Sequence, residues 1–173
     1  MRQTQQALFG QATVGRLAEQ ITLPTYTYQG VYKCRIIYQQ AIEHVEFIPY
    51  QRKPARSLQR VYCDTILYDY KYEDRRLLNQ LFAQRGHSDD ILIIKNGLVT
   101  DTSYANILFY DGQRWVTPDR PLLRGTQRQY LLDQHMVTEQ PIKETSLYRF
   151  QQYKIINAFR GLESPSLLIN SIS

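Results

Sequence analysis

The stretch from Asp90 to Gln129, DILIIKNGLVTDTSYANILFYDGQRWVTPDRPLLRGTQRQ, holds the residues most able to do chemistry. Near its end Arg124-Gly125-Thr126 leads into a helix. A helix N-terminus behind a glycine presents backbone N–H groups suited to a phosphate. Thr126 and Gln129 have the spacing of a capping box. Asp101 falls at a hairpin end, where a carboxylate accepts backbone N–H bonds. Upstream, in ILYDYKY, alternation puts Leu67, Asp69 and Lys71 on one side of a strand and Tyr68, Tyr70 and Tyr72 on the other. A lysine amine forms a Schiff base only where desolvation lowers its pKa, and the local sequence alone reads as a solvated strand lysine. The histidines, His44, His87 and His135, stand apart without ligand spacing, and Cys34 and Cys63 are too few for a zinc site or a disulfide framework. The two cysteines read as small buried residues in a reducing cytosol, and no metal is expected.

These residues need particular elements to hold them. Asn96-Gly97 and Asp111-Gly112, each between apolar runs, are hairpin turns because both residue types tolerate positive φ. The central stretch therefore reads as strand, turn, strand, strand, turn, strand, a proline-flanked loop, then a helix over about 127–135. Before it, Met1 to Phe9 is helical in pattern and stops at Gly10. A second helix is expected over 13–21, and 31–38 and 43–50 alternate as half-buried strands. The run 60–72 reads as a further strand. Asp74 can cap a helix carrying Leu77, Leu78, Leu81 and Phe82 on one face. After the central stretch, strands are expected over 137–142, 153–158 and 167–172, with a short helix from Ser146 to Phe150. The polar, proline-containing run 51–57 is the candidate linker, so the expected organisation is a small α/β domain over 1–52 and a larger one over 57–173.

The run NGLVTDTSYANILF, then VTP, then LLRGTQR, resembles the signature of the fold-type IV pyridoxal-phosphate enzymes, which include branched-chain and D-amino acid aminotransferases and aminodeoxychorismate lyases. The family run is an Asn-Gly turn, a Thr-Glu pair, an Asn five residues after the Glu, a Thr-Pro, and a Gly-Ile-Thr-Arg that opens a helix. Here those places hold Asn96-Gly97, Thr100-Asp101, Asn106, Thr117-Pro118 and Gly125-Thr126-Gln127-Arg128. The resemblance covers about the last two thirds of the chain. It implies an α+β (mixed α/β) two-domain architecture, with a small N-terminal domain and a larger, strand-rich pseudo-barrel that binds the cofactor. It implies that Lys71 bonds the cofactor aldehyde and then moves the proton at the substrate α-carbon. Asp101 takes the place of the carboxylate that keeps the pyridine nitrogen protonated, which the cofactor needs to act as an electron sink. The backbone amides of Thr126 and Gln127 hold the phosphate, and Asn157-Ala158 matches an Asn-Ala pair beside it. Arg35, in VYKCRIIY, matches an arginine directed at a substrate carboxylate, a task that suits a guanidinium fork.

The chain also departs from that pattern. The family has glutamate where this chain has Asp101, shorter by one methylene. Met1-Arg2-Gln3-Thr4 aligns just after the family's His-x-x-Arg, whose arginine grips the phosphate, so the small domain is expected to be truncated at its start. The alternative expectation is a degenerate family member that binds cofactor weakly or not at all. The partners implied are a small-molecule amino substrate and a second copy of the chain, as a homodimer.

Composition is consistent with a folded chain. An apolar fraction of 43% over 173 residues supports a proper core. The formal charge of +5 is scattered rather than clustered, and no recognised binding motif accompanies it, so no nucleic-acid partner is expected. No apolar run approaches spanning length and no signal-peptide core opens the chain, so no membrane association is expected and the location expected is cytoplasmic. The 14 tyrosines favour strands with one wet and one packed side.

Overall fold

Contact density separates two compact units, Met1–Lys53 and Pro54–Ser173, in the computed structural model, which describes residues 1–52 and 55–173. The expected linker falls partly on Lys53 and Pro54, which lie outside the described residues. The first unit begins with α1 (Arg2–Phe9), which stops at Gly10 with a left-handed φ of 74°. The second expected helix is reduced to one turn, α2 (Leu17–Gln20). Gly15 and the β-branched Thr13, Val14, Ile21 and Thr22 on either side disfavour any extension. Two antiparallel strands follow, β1 (Tyr32–Tyr38) and β2 (Ile42–Pro49), and neither carries a fully buried residue. The anchor of this unit is polar. Fully buried Gln5 donates from Nε2 to the carbonyls of Gln39 (2.7 Å) and Gln40 (3.0 Å) and accepts from the Val14 N–H (3.1 Å). Each of these bonds discharges a group that would otherwise be buried at a cost of about 1–3 kcal/mol. Cys34 is exposed on β1 and Cys63 half-buried, so neither is the core residue expected.

The second unit is layered. Its strands are β3 (Leu58–Tyr62), β4 (Asp90–Lys95), β5 (Leu98–Thr102), β6 (Asn106–Tyr110), β7 (Trp115–Pro118), β8 (Thr138–Gln140), β9 (Gln152–Ile156) and β10 (Leu167–Leu168). Its two helices are α3 (Arg76–Ala83) and α4 (Thr126–Asp133). One sheet has the order β3-β4-β5 and the other β10-β9-β6-β7-β8. Between them lies the main core, with Leu58, Leu92, Ile94 and Val99 from the first sheet against Ile107, Phe109, Val116 and Tyr153 from the second. On the outer face of the first sheet α3 packs Leu78 and Leu81 against Val61, Ile91 and Ile93. On the outer face of the second, Leu131 of α4 meets Leu108 and Ile156. Strand β4 is thus buried on both sides, which explains its unbroken apolar run instead of an alternating one.

The pseudo-barrel expectation is corrected here. Among the described residues neither sheet of this unit closes into a barrel: β3 and β5 end one, β10 and β8 the other, and only isolated bridges just beyond the strand ends, Leu58 with Ile172 and Leu98 with Lys143, pass between the two sheets. The reason lies at the β5–β6 junction, where the Thr102 N–H bonds the Ala105 carbonyl at 2.9 Å. That tight turn sends successive strands into different sheets, which then stack through side chains. The strand expected over 60–72 is also shortened, since β3 stops at Tyr62. Its partner β4 turns away at Asn96, where Asp64 Oδ1 accepts the Asn96 N–H at 2.6 Å, and beyond that point the chain has no ladder to join. Among the described residues no helix is long and apolar enough to cross a membrane, and no cluster of His, Cys, Asp or Glu is placed to hold a metal ion.

Candidate active site

Asp101 owes its position to an irregularity in the β4–β5 ladder. Leu92 lies opposite Thr102 and Ile94 opposite Val99, so Thr100 and Asp101 together face Ile93 alone. Such a bulge bends the strand and re-aims its side chains. Thr100 Oγ1 donates to the Ile93 carbonyl (2.8 Å), and Asp101 points into the protein at 5% exposure. Its Oδ1 accepts from Asn106 Nδ2 at 2.7 Å and its Oδ2 from the Leu123 N–H at 2.9 Å. Burial pushes this carboxyl up to about 6, above the ordinary Asp value, against the opposing pull of those two donors and of the Arg128 charge. Arg128 is itself fully buried, and its Nη2 donates to the Pro118 carbonyl (2.8 Å) and to Glu139.

The loop after β7 brings the start of α4 to the same place. Gly125 is the N-cap, extended at φ −69° and ψ 149°, and no side chain caps the helix. The capping box expected from Thr126 and Gln129 is not formed, because Thr126 is already the first helical residue. The Gln129 amide N–H bonds the Gly125 carbonyl (3.0 Å) while its side chain reaches forward to Asp133 (2.8 Å). Gly125 is needed for close approach, not for its dihedral angles: a Cβ there would sit 2.2 Å from Asn106 Oδ1. Thr126 is exposed and Gln127 half-buried.

Asn157 and Ala158 form the turn after β9. The Asn157 N–H and carbonyl both bond Arg160, and Asn157 Oδ1 accepts the Phe159 N–H at 2.9 Å. A Cβ at Gly161 would stand 3.2 Å from Gln127 Nε2, so this turn lies against the start of α4. The Arg160 guanidinium sits 5.7 Å from the ring centroid of Tyr104, which belongs to the turn between Asp101 and Asn106. Three segments, 101–106, 123–127 and 157–161, therefore converge.

Lys71 is exposed, and it lies on irregular chain between β3 and α3 instead of on a strand. The far end of that segment is tied to the convergence, since Arg75 Nη2 donates to the Ser103 carbonyl at 2.7 Å. A cleft of about 220 Å³ separates the segment from the loop before α4, and is lined by Tyr68, Asp69, Lys95, Thr100, Arg120 and Leu122. Arg35 belongs to the first unit, where its Nη1 bonds Glu46 Oε1 at 2.6 Å across the β1–β2 pair. Sequence reasoning missed the Leu123 N–H, the Arg75 tether and the role of Asn106 as a donor. Only Asn106 left a trace, in its fixed spacing from Asp101.

Comparison with known proteins matches residues 69–163 to the model of amino-transferase class IV. An uncharacterized protein of Haemophilus influenzae is 48% identical over 142 residues, which is 82% of this chain and 76% of that protein. The crystal structure of a candidate 4-amino-4-deoxychorismate lyase from Haemophilus somnus superposes with a TM-score of 0.83 at 35% identity, covering 92% of this chain and 85% of that one. A hypothetical aminotransferase from Mycobacterium tuberculosis, solved in its PLP-bound form, superposes with a TM-score of 0.59 at 17% identity, over 72% of this chain and 56% of that one; at this identity the likeness is one of fold.

Proposed function

Because the chain belongs to the amino-transferase class IV family, we propose that it is a pyridoxal-phosphate enzyme acting on an amino acid or amino-substituted acid, in an aminodeoxychorismate lyase-like or aminotransferase-like reaction. The observation that carries this reading is a buried carboxylate, Asp101, held by two donors beside a helix whose N-terminus no side chain caps. The residues present fit the cofactor. The amides of Thr126 and Gln127 open an eight-residue helix and suit its phosphate. Asp101 suits the pyridine nitrogen, where a neighbouring cation favours the charged carboxylate that burial disfavours. When bound, pyridoxal phosphate supplies an electron sink for charge developing at the substrate α-carbon.

In this reading Lys71 provides the amine that tethers the cofactor and then carries the proton to and from the α-carbon. Its exposure requires the segment that carries it to be covered when the site is formed, because a Schiff-base lysine needs partial desolvation to supply a free amine. Asn157 and Ala158 flank the phosphate, and Arg35 receives a substrate carboxylate. A homodimer is the assembly this reading implies, tested by light scattering. A second reading, a family member that keeps the fold without catalysis, draws on the exposure of Lys71.

Titration of the purified protein with pyridoxal phosphate separates the two. The enzyme reading expects a yellow protein that borohydride fixes irreversibly, with the label on the peptide containing Lys71 and lost in Lys71→Ala. A protein that stays colourless, or labels elsewhere, overturns it in favour of the second reading.

A further inference from the structure

Asn106 commits both amide hydrogens of its side chain to the candidate site. Its Nδ2 lies 2.7 Å from Asp101 Oδ1 and 2.8 Å from the Leu123 carbonyl, so each amide hydrogen has its own acceptor. The Leu123 N–H in turn reaches Asp101 Oδ2 at 2.9 Å, which closes a ring of three hydrogen bonds through the backbone of one residue and two side chains. The amide orientation is dictated by chemistry: both neighbours of Nδ2 are acceptors, and a flipped carbonyl would face a carboxylate. The remaining atom, Oδ1, lies over Gly125 with no room for a Cβ. Asn106 therefore touches, at once, the strand that carries the carboxylate and the loop and cap that open α4.

We propose that Asn106 is the positioning residue of this site: it locks the direction of the Asp101 carboxylate and sets that carboxylate at a fixed distance from the α4 amides. The assignment of Asp101 to the cofactor ring rests on the function proposed above; the locking of Asp101 by Asn106 does not. An aspartate carries its carboxylate on a single methylene and has little side-chain reach with which to absorb an error in placement. A short carboxylate therefore depends more on the group that aims it. Gly125 is the second half of the device, because any side chain there displaces Asn106 from Asp101.

The test needs no turnover. Asn106→Ala and Gly125→Ala are prepared without cofactor, and thermal melting establishes that each is folded. Carbon-13 NMR then follows the Asp101 carboxyl through its titration. Removal of a donor to the charged form moves the midpoint upward from about 6, and both variants should show this shift. Pyridoxal-phosphate affinity, read by absorbance, should fall roughly tenfold to a hundredfold, as expected for loss of a hydrogen bond to a charged group. Should Asn106→Ala fail to fold, Gly125→Ala carries the same readout, since it leaves the Asn106 amide intact and only moves it. An unmoved Asp101 midpoint in a folded variant overturns the proposal. If the wild-type chain takes up no pyridoxal phosphate, the proposed function fails while the carboxyl titration still decides this one. Shifted titration with unchanged cofactor affinity would refute the link between positioning and binding.

Discussion

Asp101 should make the fold less stable as pH rises from about 4 to about 6, and the size of the effect follows from its burial. Its carboxyl titrates at about 6 in the folded chain, against an ordinary 3.8. The folded state therefore holds this proton over a window in which the unfolded chain has lost it. With the acid pKa raised on folding, stability is full below the unfolded value and declines until the folded value is passed. Two units at ~1.36 kcal/mol each give a loss of about 3 kcal/mol across the window. Urea unfolding of the cofactor-free protein between pH 4 and pH 7 measures the total, to which other groups contribute. The same series on Asp101→Asn removes only this carboxyl, so the difference between wild type and variant isolates it. Asp90, whose carboxyl is also raised by burial, is common to both and cancels. The wild type should lose stability relative to the variant as pH rises, most of it between pH 4 and 6. A difference that stays flat, or that grows in favour of the wild type, would refute the claim that burial outweighs the donors around this carboxylate.

Four further outcomes test other parts of the structure. Phe109, fully buried between the two sheets, should cost roughly 3–5 kcal/mol when replaced by alanine, read by urea unfolding. Gly97→Ala should cost about 1 kcal/mol or more, because φ of 72° at the β4–β5 turn strains an L side chain. Lys71→Ala should change unfolding free energy by less than about 0.5 kcal/mol, the usual range for an exposed position, while abolishing borohydride labelling. Asp90→Asn should gain on the wild type as pH rises, for the same sign reason as Asp101, and equal pH profiles for the two proteins would count against its burial.

Much of the second unit was legible in the residues alone, and the legible parts share a cause. The turns at Asn96-Gly97 and Asp111-Gly112 are specified by φ preferences within the turn itself, so β4 to β7 fall where the hairpin signals place them. The stop of α1 at Gly10 is of the same kind. The helix start at Gly125 is nearly so, although the capping box read from Thr126 and Gln129 gave way to a glycine cap that only the nearness of Asn106 explains. The family motif was visible because its members recur at set intervals along one hairpin and one loop.

What the sequence determined by itself was therefore local: where the chain turns, which runs are apolar, and which carboxylate, amine and helix start stand at family spacing. Tertiary structure decided the rest, because those outcomes depend on a neighbour the chain meets only after folding. Strand pairing ended β3 at Tyr62 and left Lys71 on irregular, exposed chain. The turn at Thr102 and Ala105 stacked two open sheets where a closed one was expected. The bulge at Thr100 and Asp101 exists only against Ile93, and it is this extra residue that delivers the carboxylate to Asn106 and Leu123.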